Sequence, residues 1–486
     1  MNAATLASLS PEEKRALLRR LLAERAATGS GDYPLAYGQR ALWFLQRLLP
    51  DSTAYNVAFS ARIEPSVELE PFQRALDRLV ARHPALRTVF PENDDGQPVQ
   101  RVQPTAASPL RVVELSDASD KALYDAVVAD YQTPFDLDDT LVAVRLYRRR
   151  GYDVLLVNVH HLVFDAWSLQ IFFEDVRALY EAELTQRQAA LSPLTAQYRD
   201  FLADQSRMLE SERGKALWNY WQQTLEGIPA TLEISTANPR SGALTMSGAT
   251  LPFALSAEHS AALHALARQQ RTTLYTVMLA AMHAMLHRFS GQSEIVVGTP
   301  VSLRSREDFQ NVIGYFINMV PIRGSIRADE PFLELLARTR QNVLGALEHQ
   351  EFPFPLLVDR LRIPRDTRWN PIFQTMLNVN LSPRGTELSR LFAPDGSDAA
   401  PVRFGGSAMS PFPIPQQEGQ FEIVIEMTDS DGVLHGNFKY QVDRFSDDAA
   451  RELRDSFAAT FATIAESPDA RVSDLARLPS REDFEL

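Results

Sequence analysis

Residues 153–168 read DVLLVNVHHLVFDAWS, and this stretch decides most of what the sequence says about the fold. Residues 153–159 form an apolar run rich in β-branched side chains, about the length of a buried strand. His160 and His161 follow at its end, and residues 169–180 carry apolar side chains at helical spacing. The pattern predicts a strand, a short polar turn and then a helix.

The two adjacent histidines should point to opposite sides of the strand, because side chains alternate along a strand. One imidazole can then face a cavity while the other faces the packing behind it. Asp165 lies four residues after His161, so the cavity-facing histidine is a candidate acid, base or positioning group. The pattern fits equally well with His160 and His161 as core histidines and Asp165 as a helix cap.

The length and composition of the chain limit its class. With 486 residues it exceeds one typical core, so we expect two domains or lobes. The net charge of -13 argues against general nucleic-acid binding. No apolar run approaches the length of a membrane span, and the N-terminus lacks a secretory pattern. These features predict a cytoplasmic protein.

The absence of cysteine excludes several chemistries. Disulfides, a thiolate nucleophile and cysteine-bound metal sites are ruled out. An acyltransferase with this sequence cannot carry the acyl group on its own sulfur, so direct attack of one substrate on the other is the simpler scheme. His283 and His287 have metal-ligand spacing, but no third ligand lies nearby in sequence, so we expect packing and no metal site.

The remaining pattern predicts a mixed α/β (α+β) protein in two lobes. We expect a helical leader and joint at 1–31, where residues 10–13 (SPEE) form a capping box, and an N-terminal lobe at 32–190. A connecting helical region at 191–222 and a C-terminal lobe at 223–486 should follow.

Three loops stand out within this organisation. Residues 148–151 (RRRG) read as a hairpin tip, most simply a solvated turn, with an anion contact as the alternative. Residues 381–420 are rich in proline and predict a loop-rich segment. Asp431-Gly432 predicts a hairpin turn.

The segment HHLVFDAWS at residues 160–168 resembles the HHxxxDGWS motif of nonribosomal peptide synthetase condensation domains. HHxxxD alone is less specific, because chloramphenicol acetyltransferase-like acyltransferases share it. Six further stretches match the family in order. They are AYGQRALWFL (36–45), RHPALRTVF (82–90, with Pro84 departing from the pattern), YRDF (198–201), IGYFINMVPIR (313–323), HQEFPFP (349–355) and RDTRWNP (365–371). The matches span roughly residues 34–371, and the strand–turn–helix pattern after them also fits the family, so the resemblance covers close to the whole chain.

This resemblance implies a V-shaped pair of chloramphenicol acetyltransferase-like lobes with a tunnel at their junction. Two phosphopantetheine arms would enter the tunnel from opposite faces, and the α-amine of a carrier-bound aminoacyl group would attack an acyl thioester. No cofactor would be bound covalently. The implied partners are the downstream peptidyl carrier and adenylation domains, with an acyl-carrier protein or acyl-CoA as donor.

The resemblance also assigns roles to individual residues. His161, the second histidine of the motif, would face the tunnel, orient the amine and accept its proton or stabilise developing charge. His160 would pack structurally. Asp165 would form half of a buried ion pair that holds the motif, with Arg304 as the favoured partner and Arg87 as the second.

Five further residues complete the predicted site. Asn318, Ser168 and Tyr315 are candidates for the tunnel wall, although Ser168 is more typical of a helix cap than of a nucleophile. Trp167 is expected to pack. Ala166 replaces the glycine of the motif, adds a methyl group and loses access to positive φ, so the tunnel should be narrowed or reshaped there without loss of activity.

The type of condensation domain is a separate question. Met1 directly before the leader helix favours a donor that arrives in trans, hence a starter domain that uses a fatty or other acyl-CoA or an acyl group on a free carrier. Arg148 and Arg149 would then suit the CoA phosphates. The alternatives are an elongation domain with a peptidyl-carrier donor, a free-standing acyltransferase and a non-catalytic recruitment platform. The family favours a monomeric unit within a larger chain.

Overall fold

A computed structural model of the chain describes residues 31–475 except 241, 243–244, 364–365, 367, 381–390, 392–400, 415–418 and 431. Within this part, two six-stranded sheets form the centres of two lobes, and a three-stranded sheet lies beside them. The predicted two-lobed α/β architecture is confirmed. The predicted leader helix and Asp431 of the predicted hairpin turn lie outside the described residues.

The elements are numbered along the described chain. The strands are β1 (Gly31–Pro34), β2 (Asn56–Glu64), β3 (Thr88–Val89), β4 (Val99–Val102), β5 (Leu110–Glu114), β6 (Val142–Arg148), β7 (Asp153–His160), β8 (Gly248–Ala254), β9 (Glu294–Ser302), β10 (Ile317–Ser325), β11 (Thr375–Asn380), β12 (Val402–Phe404), β13 (Ser407–Pro411), β14 (Ile423–Ser430) and β15 (Val433–Gln441). The α-helices are α1 (Tyr37–Leu48), α2 (Leu69–Arg82), α3 (Asp120–Tyr131), α4 (Ala166–Thr185), α5 (Tyr198–Glu210), α6 (Glu212–Thr224), α7 (Ala257–Gln269), α8 (Leu274–Ser290), α9 (Phe332–Glu348), α10 (Phe354–Leu361) and α11 (Asp447–Glu466).

The N-terminal sheet has the order β12-β13-β2-β7-β6-β5. β7 lies between β2 and β6 and is antiparallel to both. Every residue of β7 is buried, which explains why the strand reads as a continuous apolar run rather than as an alternating one. Its last residue, His160, is level with Asn56 of β2. The predicted strand and the helix that follows it, α4, are both present.

The C-terminal sheet has the order β10-β9-β11-β14-β15-β8. β11 is parallel to its neighbours β9 and β14, and the other pairs are antiparallel. Helix α8 is the most enclosed helix of this lobe, because a continuous run of its residues from Val277 to Leu286 is buried. It ends at Gly291, which adopts the left-handed conformation that glycine tolerates best.

Two strands cross from the C-terminal half of the chain to the N-terminal sheet. β13 pairs antiparallel with β2, so that Met409 is level with Ile63, and β12 continues the sheet beyond it. Phe404 of β12 stacks on Tyr180 of α4 with ring centroids 5.3 Å apart. Two short strands thus lie within the segment predicted to be loop-rich, and the N-terminal sheet includes strands from beyond residue 223.

The predicted connecting region consists of α5 and α6, which contact different parts of the protein. Trp221 of α6 is buried in the core of the C-terminal lobe. Phe201 of α5 instead joins a small cluster with Phe309 and Phe316. Phe309 and Phe316 belong to the loop between β9 and β10, where the functional site is built.

Within the described ranges, no helix is both long enough and apolar enough to cross a membrane. The same residues contain no group of three or more side chains placed to hold a metal ion. His283 lies fully buried in α8, and Nδ1 of His287 is 2.8 Å from the carbonyl oxygen of Gln292. The two histidines thus serve packing and local hydrogen bonding.

The buried histidines predict a loss of stability in acid. Burial lowers the pKa of His283 to about 4 and that of His160 to about 3, below the value of about 6.5 in an unfolded chain. At a pH between the folded and unfolded pKa values, the unfolded chain binds protons that the folded chain does not. The free energy of unfolding is therefore unaffected by these histidines above pH 6.5 and decreases as the pH falls below it. Each histidine should contribute a slope of about 1.4 kcal/mol per pH unit.

This prediction can be checked by urea unfolding at pH 7.5, 6.0 and 5.0. The variant His283→Met removes one titrating group while filling the site with a flexible apolar side chain. Its free energy of unfolding should depend less steeply on pH than that of the wild type. Equal slopes for the two proteins would contradict the prediction.

Candidate active site at the junction of the two sheets

His160 is held by hydrogen bonds at both ring nitrogens. Its Nδ1 accepts the backbone N–H of Leu162 at 3.1 Å, so Nε2 carries the hydrogen and faces Oε1 of Gln46 at 3.2 Å. The Gln46 amide is fixed in turn, because its Nε2 donates to the carbonyls of Pro50 and Ser52. His160 is therefore a neutral, buried histidine with no free nitrogen, in agreement with a structural role.

His161 has a different environment at the start of the 3-10 turn His161–Val163. Its backbone N–H donates to the carbonyl of Tyr55 at 2.9 Å, and its Nδ1 is 2.6 Å from the carbonyl oxygen of Phe164. A carbonyl can only accept, so Nδ1 carries the hydrogen and Nε2 keeps its lone pair. Nε2 makes no hydrogen bond with any residue that the structure describes.

Burial lowers the pKa of the half-buried His161, and the Phe164 carbonyl and the charge of Asp165 offset only part of this effect. The imidazole is therefore neutral near pH 7. A neutral ring with a fixed tautomer and an open Nε2 can accept a proton from a bound substrate.

Asp165 caps helix α4 and forms an ion pair at the same time. Its Oδ1 accepts the backbone N–H of Ser168 at 2.7 Å, and its Oδ2 accepts the N–H of Phe316 at 3.1 Å. Nη2 of Arg304 lies 3.0 Å from Oδ1 and 3.1 Å from Oδ2, and both side chains are only 2% exposed. The cap and the ion pair, which the sequence left as alternatives, occur together.

Arg304 connects this carboxylate to the loop between β9 and β10. Its Nη1 donates to the carbonyls of Phe309 and Val312, and its Nη2 also donates to Oγ of Ser168. The guanidinium carbon lies 4.0 Å from the ring centroid of Phe316. One buried cation thus fixes the course of the whole loop.

Two more residues of α4 bind the same loop. Oγ of Ser168 accepts the N–H of Gly314 and donates to its carbonyl, both at 3.0 Å, and Nε1 of Trp167 donates to the carbonyl of Gln310 at 2.9 Å. Ser168 is fully buried and is the third residue of the helix. It neither lines a tunnel nor caps the helix; Asp165 is the cap.

We call the contacts of Asp165, Trp167 and Ser168 with Arg304 and residues 309–316 the junction clamp. They join the start of α4 in the N-terminal lobe to a loop of the C-terminal lobe. The clamp lies four residues after His161 and therefore fixes the turn that presents the imidazole.

The junction clamp also sets the position of Tyr315. The Tyr315 ring stands nearly perpendicular to His161, at 84° with centroids 5.5 Å apart. A Cβ added to Gly38 of α1 would come within 2.7 Å of Cε1 of Tyr315, so the ring is wedged closely against α1. The hydroxyl of Tyr198 donates to the Tyr315 carbonyl at 2.7 Å. Tyr315 is the predicted wall residue that contacts His161.

The Asn318 side chain binds backbone groups. Its Nδ2 donates to the carbonyls of Gln350 and Phe352, both at 2.8 Å, and its Oδ1 accepts the N–H of Phe354 at 2.9 Å. The side chain fixes the turn between α9 and α10, and both of its amide hydrogens are used there. The structure therefore gives Asn318 a structural role in place of the predicted role in the tunnel wall.

Two further predicted supporting residues are Ala166, which lies within the motif, and Arg87. Ala166 is the first residue of α4, is exposed, and has no positive φ, so the conformational freedom of glycine is not required here. The loss of that freedom on replacing glycine by alanine therefore has no backbone consequence here, and a narrower tunnel stays a prediction. Arg87, the second candidate partner for Asp165, donates to the carbonyl of Gln103.

Arg148 and Arg149 lie at the hairpin between β6 and β7, at the other end of β7 from His161. Nε of Arg148 is 3.4 Å from Oδ1 of Asp153, and Nη2 of Arg149 is 3.0 Å from Oδ1 of Asp120. Each guanidinium already has a carboxylate partner, which argues against the predicted contact with CoA phosphates.

Sequence reasoning missed the support that α1 gives to the motif. Nε2 of Gln39 donates to the carbonyl of Leu162 at 2.8 Å, and Gln46 binds His160. Both glutamines are buried. The sequence signal was the pair of glutamines seven residues apart on the apolar face of a helix. A buried amide needs a specific hydrogen-bond partner, so this pair indicated that α1 binds another segment.

Comparisons with known proteins agree with this geometry. A family model described as Condensation domain matches residues 29–486. Phosphinothricin tripeptide synthetase PhsC of Streptomyces viridochromogenes is 34% identical over 491 residues, which cover 98% of this chain and 44% of PhsC. The chain thus spans less than half the length of this relative.

Solved structures show the same fold. A four-domain nonribosomal peptide synthetase bound to AMP and glycine matches 93% of this chain and 34% of its own, with a TM-score of 0.85 and 24% identity. A mutant starter condensation domain of rhizomide synthetase in complex with C8-CoA matches 93% of this chain and 99% of its own, with a TM-score of 0.77 and 22% identity.

The junction clamp predicts a large cost for removing one member of the ion pair. Arg304→Met would leave the buried Asp165 carboxylate without its cation, and we expect a loss of about 3–5 kcal/mol in the free energy of unfolding. The double variant Asp165→Leu/Arg304→Met should recover part of that loss, because no charge is left unpaired. Urea unfolding of the three proteins measures both effects.

Arg306→Met is the matched control, since Arg306 lies in the same loop but pairs with Asp204 and Asp308 at the surface. It should leave the free energy of unfolding nearly unchanged. An equal loss for Arg306→Met and Arg304→Met would contradict the importance of the buried pair.

Proposed function

The chain belongs to the condensation-domain family of nonribosomal peptide synthetases, and we propose that its site joins the α-amine of a carrier-bound aminoacyl group to an acyl thioester donor. Members of this family are amide-forming acyltransferases. The observation that carries the proposal is the neutral His161, whose Nδ1–H is fixed by the Phe164 carbonyl while Nε2 stays open at the junction of the two sheets.

The attacking amine must be neutral to act as a nucleophile. Nε2 of His161 accepts a hydrogen bond from the amine and so holds its lone pair toward the carbonyl carbon of the donor. As the C–N bond forms, the same nitrogen takes the proton that the amine loses. Because the thioester is already activated, orientation by His161 contributes to the rate together with proton removal.

No other acid or base at the motif suits this task. Both nitrogens of His160 are engaged, and the Asp165 carboxylate is enclosed by Arg304 and backbone N–H groups. A loss of activity on mutation of Asp165 would therefore reflect a damaged junction clamp rather than the loss of a catalytic group.

Substrate delivery follows from the family. The acceptor arrives on the phosphopantetheine arm of a downstream peptidyl carrier domain that an adenylation domain loads, and the donor enters from the opposite face. His161 lies between the two entrances. The lengths of the relatives support this arrangement, since PhsC is more than twice as long as this chain.

Two types of donor suit the site. An acyl-CoA donor, which defines the starter reaction, is supported by the similar fold of a starter domain bound to C8-CoA. A carrier-bound peptidyl donor, which defines elongation, is supported by the identity with a tripeptide synthetase and by the carboxylate partners of Arg148 and Arg149. We propose the starter reaction first and elongation as the second candidate.

The proposal predicts N-acylation of an aminoacyl-loaded carrier domain. We would mix the protein with this acceptor and either a panel of acyl-CoAs or a set of acyl- and peptidyl-carrier donors, and follow the intact mass of the acceptor. His161→Ala should lower the rate at least about 100-fold. The control is His259→Ala, which should retain the wild-type rate because His259 pairs with Glu466 and not with a residue of the motif.

The outcomes separate the alternatives. Product from acyl-CoA or from an acyl-carrier donor identifies a starter domain, and product only from peptidyl-carrier donors identifies elongation. Acylation of free amino acids without a carrier would indicate a free-standing acyltransferase. A wild type inert with every donor would overturn amide formation and favour a recruitment platform.

A further inference from the structure

Two tyrosines stand beside His161. The backbone carbonyl of Tyr55 accepts the N–H of His161 at 2.9 Å, and the ring of Tyr315 stands perpendicular to the imidazole. Burial raises the pKa of both phenols, and the nearby Tyr55 raises that of Tyr315 further. The Tyr315 ring thus lies against the His161 imidazole, and Tyr55 is joined to His161 through its backbone carbonyl.

Neither phenol hydroxyl has a hydrogen-bond partner in the described part of the chain, and neither is among its enclosed unpaired atoms. Buried phenols usually find a partner, as Tyr147 does with Asp130 at 2.6 Å and Tyr198 with a backbone carbonyl. The hydroxyls of Tyr55 and Tyr315 thus remain accessible and open to a ligand.

The Tyr55 and Tyr315 side chains are partly buried. Tyr55, Tyr315 and His161 each keep part of their surface accessible, yet each is buried deeply enough for its pKa to shift. The three side chains are therefore partly accessible where the two sheets meet. Tyr55 precedes β2 and Tyr315 precedes β10, so the pair brings together the two lobes.

We propose that the hydroxyls of Tyr55 and Tyr315 donate hydrogen bonds to the carbonyl oxygen of the acyl thioester and stabilise the negative charge that develops there. The proposal rests on amide formation at His161. The two tyrosines then act as catalytic residues that form the oxyanion site of the reaction.

The step balances as follows. The amine nitrogen bonds to the thioester carbon, the π electrons of the C=O bond move onto oxygen, and His161 takes a proton from nitrogen. Collapse of this intermediate restores the C=O bond and breaks the C–S bond. The leaving thiolate receives the proton from His161, so an amide and a free thiol are the products.

Other donors near the motif are already committed. Oγ of Ser168 and Nη1 and Nη2 of Arg304 serve the junction clamp, and Nδ2 of Asn318 binds two carbonyls. Nε2 of His161 is an acceptor until it takes the proton. A phenol is protonated near pH 7, and burial raises the pKa of both further, so the two hydroxyls donate hydrogen bonds without losing protons.

Tyr55→Phe and Tyr315→Phe remove one oxygen each and test the proposal in the N-acylation assay. We expect kcat to fall about 100-fold for at least one variant, with KM changed less than about threefold, as for the loss of an oxyanion donor. The double variant should lose less than the product of the single effects, because both groups act on one oxygen. Tyr147→Phe is the control, and thermal melting verifies folding.

A second measurement is independent of turnover. The carbonyl stretch of a ¹³C-labelled acyl thioester bound without acceptor should lie at a lower frequency in the wild type than in the folded double variant, because donated hydrogen bonds weaken the C=O bond. Unchanged kcat in both single variants, or a rise in KM alone, would overturn the proposal while amide formation stands. A wild type inert with every donor would overturn both.

Discussion

The buried ion pair between Asp165 and Arg304 is the constraint on which the rest of the site depends. A charge removed from water must be compensated by a partner and by hydrogen bonds, and here the carboxylate also receives two backbone N–H groups from different lobes. The pair thereby determines where α4 begins and where β10 begins. His161 precedes the first of these points and Tyr315 precedes the second, so their mutual placement follows from the pair.

Local pattern was sufficient to predict the elements around the motif. A strand buried on both faces has a continuous run of apolar residues, and this run predicted β7. A helix with one buried face has apolar residues three or four positions apart, and this spacing after Asp165 predicted α4. The partner of Asp165 lies 139 residues away in sequence and came from the family resemblance. No periodicity carries information on such a contact.

The misassigned polar residues share one physical cause. Ser168 and Asn318 were expected to face substrate, but each satisfies backbone groups of a buried loop, at Gly314 and at residues 350–354. Buried backbone groups must find partners, and a sequence does not show which loops are buried. The crossing strands β12 and β13 were missed for a related reason, since their partner β2 is distant in the chain.

The crossing of β12 and β13 has a consequence for biosynthesis. When the first 400 residues have left the ribosome, β2 is still an uncovered sheet edge with unpaired backbone groups, a surface prone to pair with other nascent chains. The N-terminal sheet is completed only after residue 411 has been translated. The two lobes are therefore not modules that can be exchanged at residue 223, and recombination that respects the fold must keep residues 402–411 together with β2.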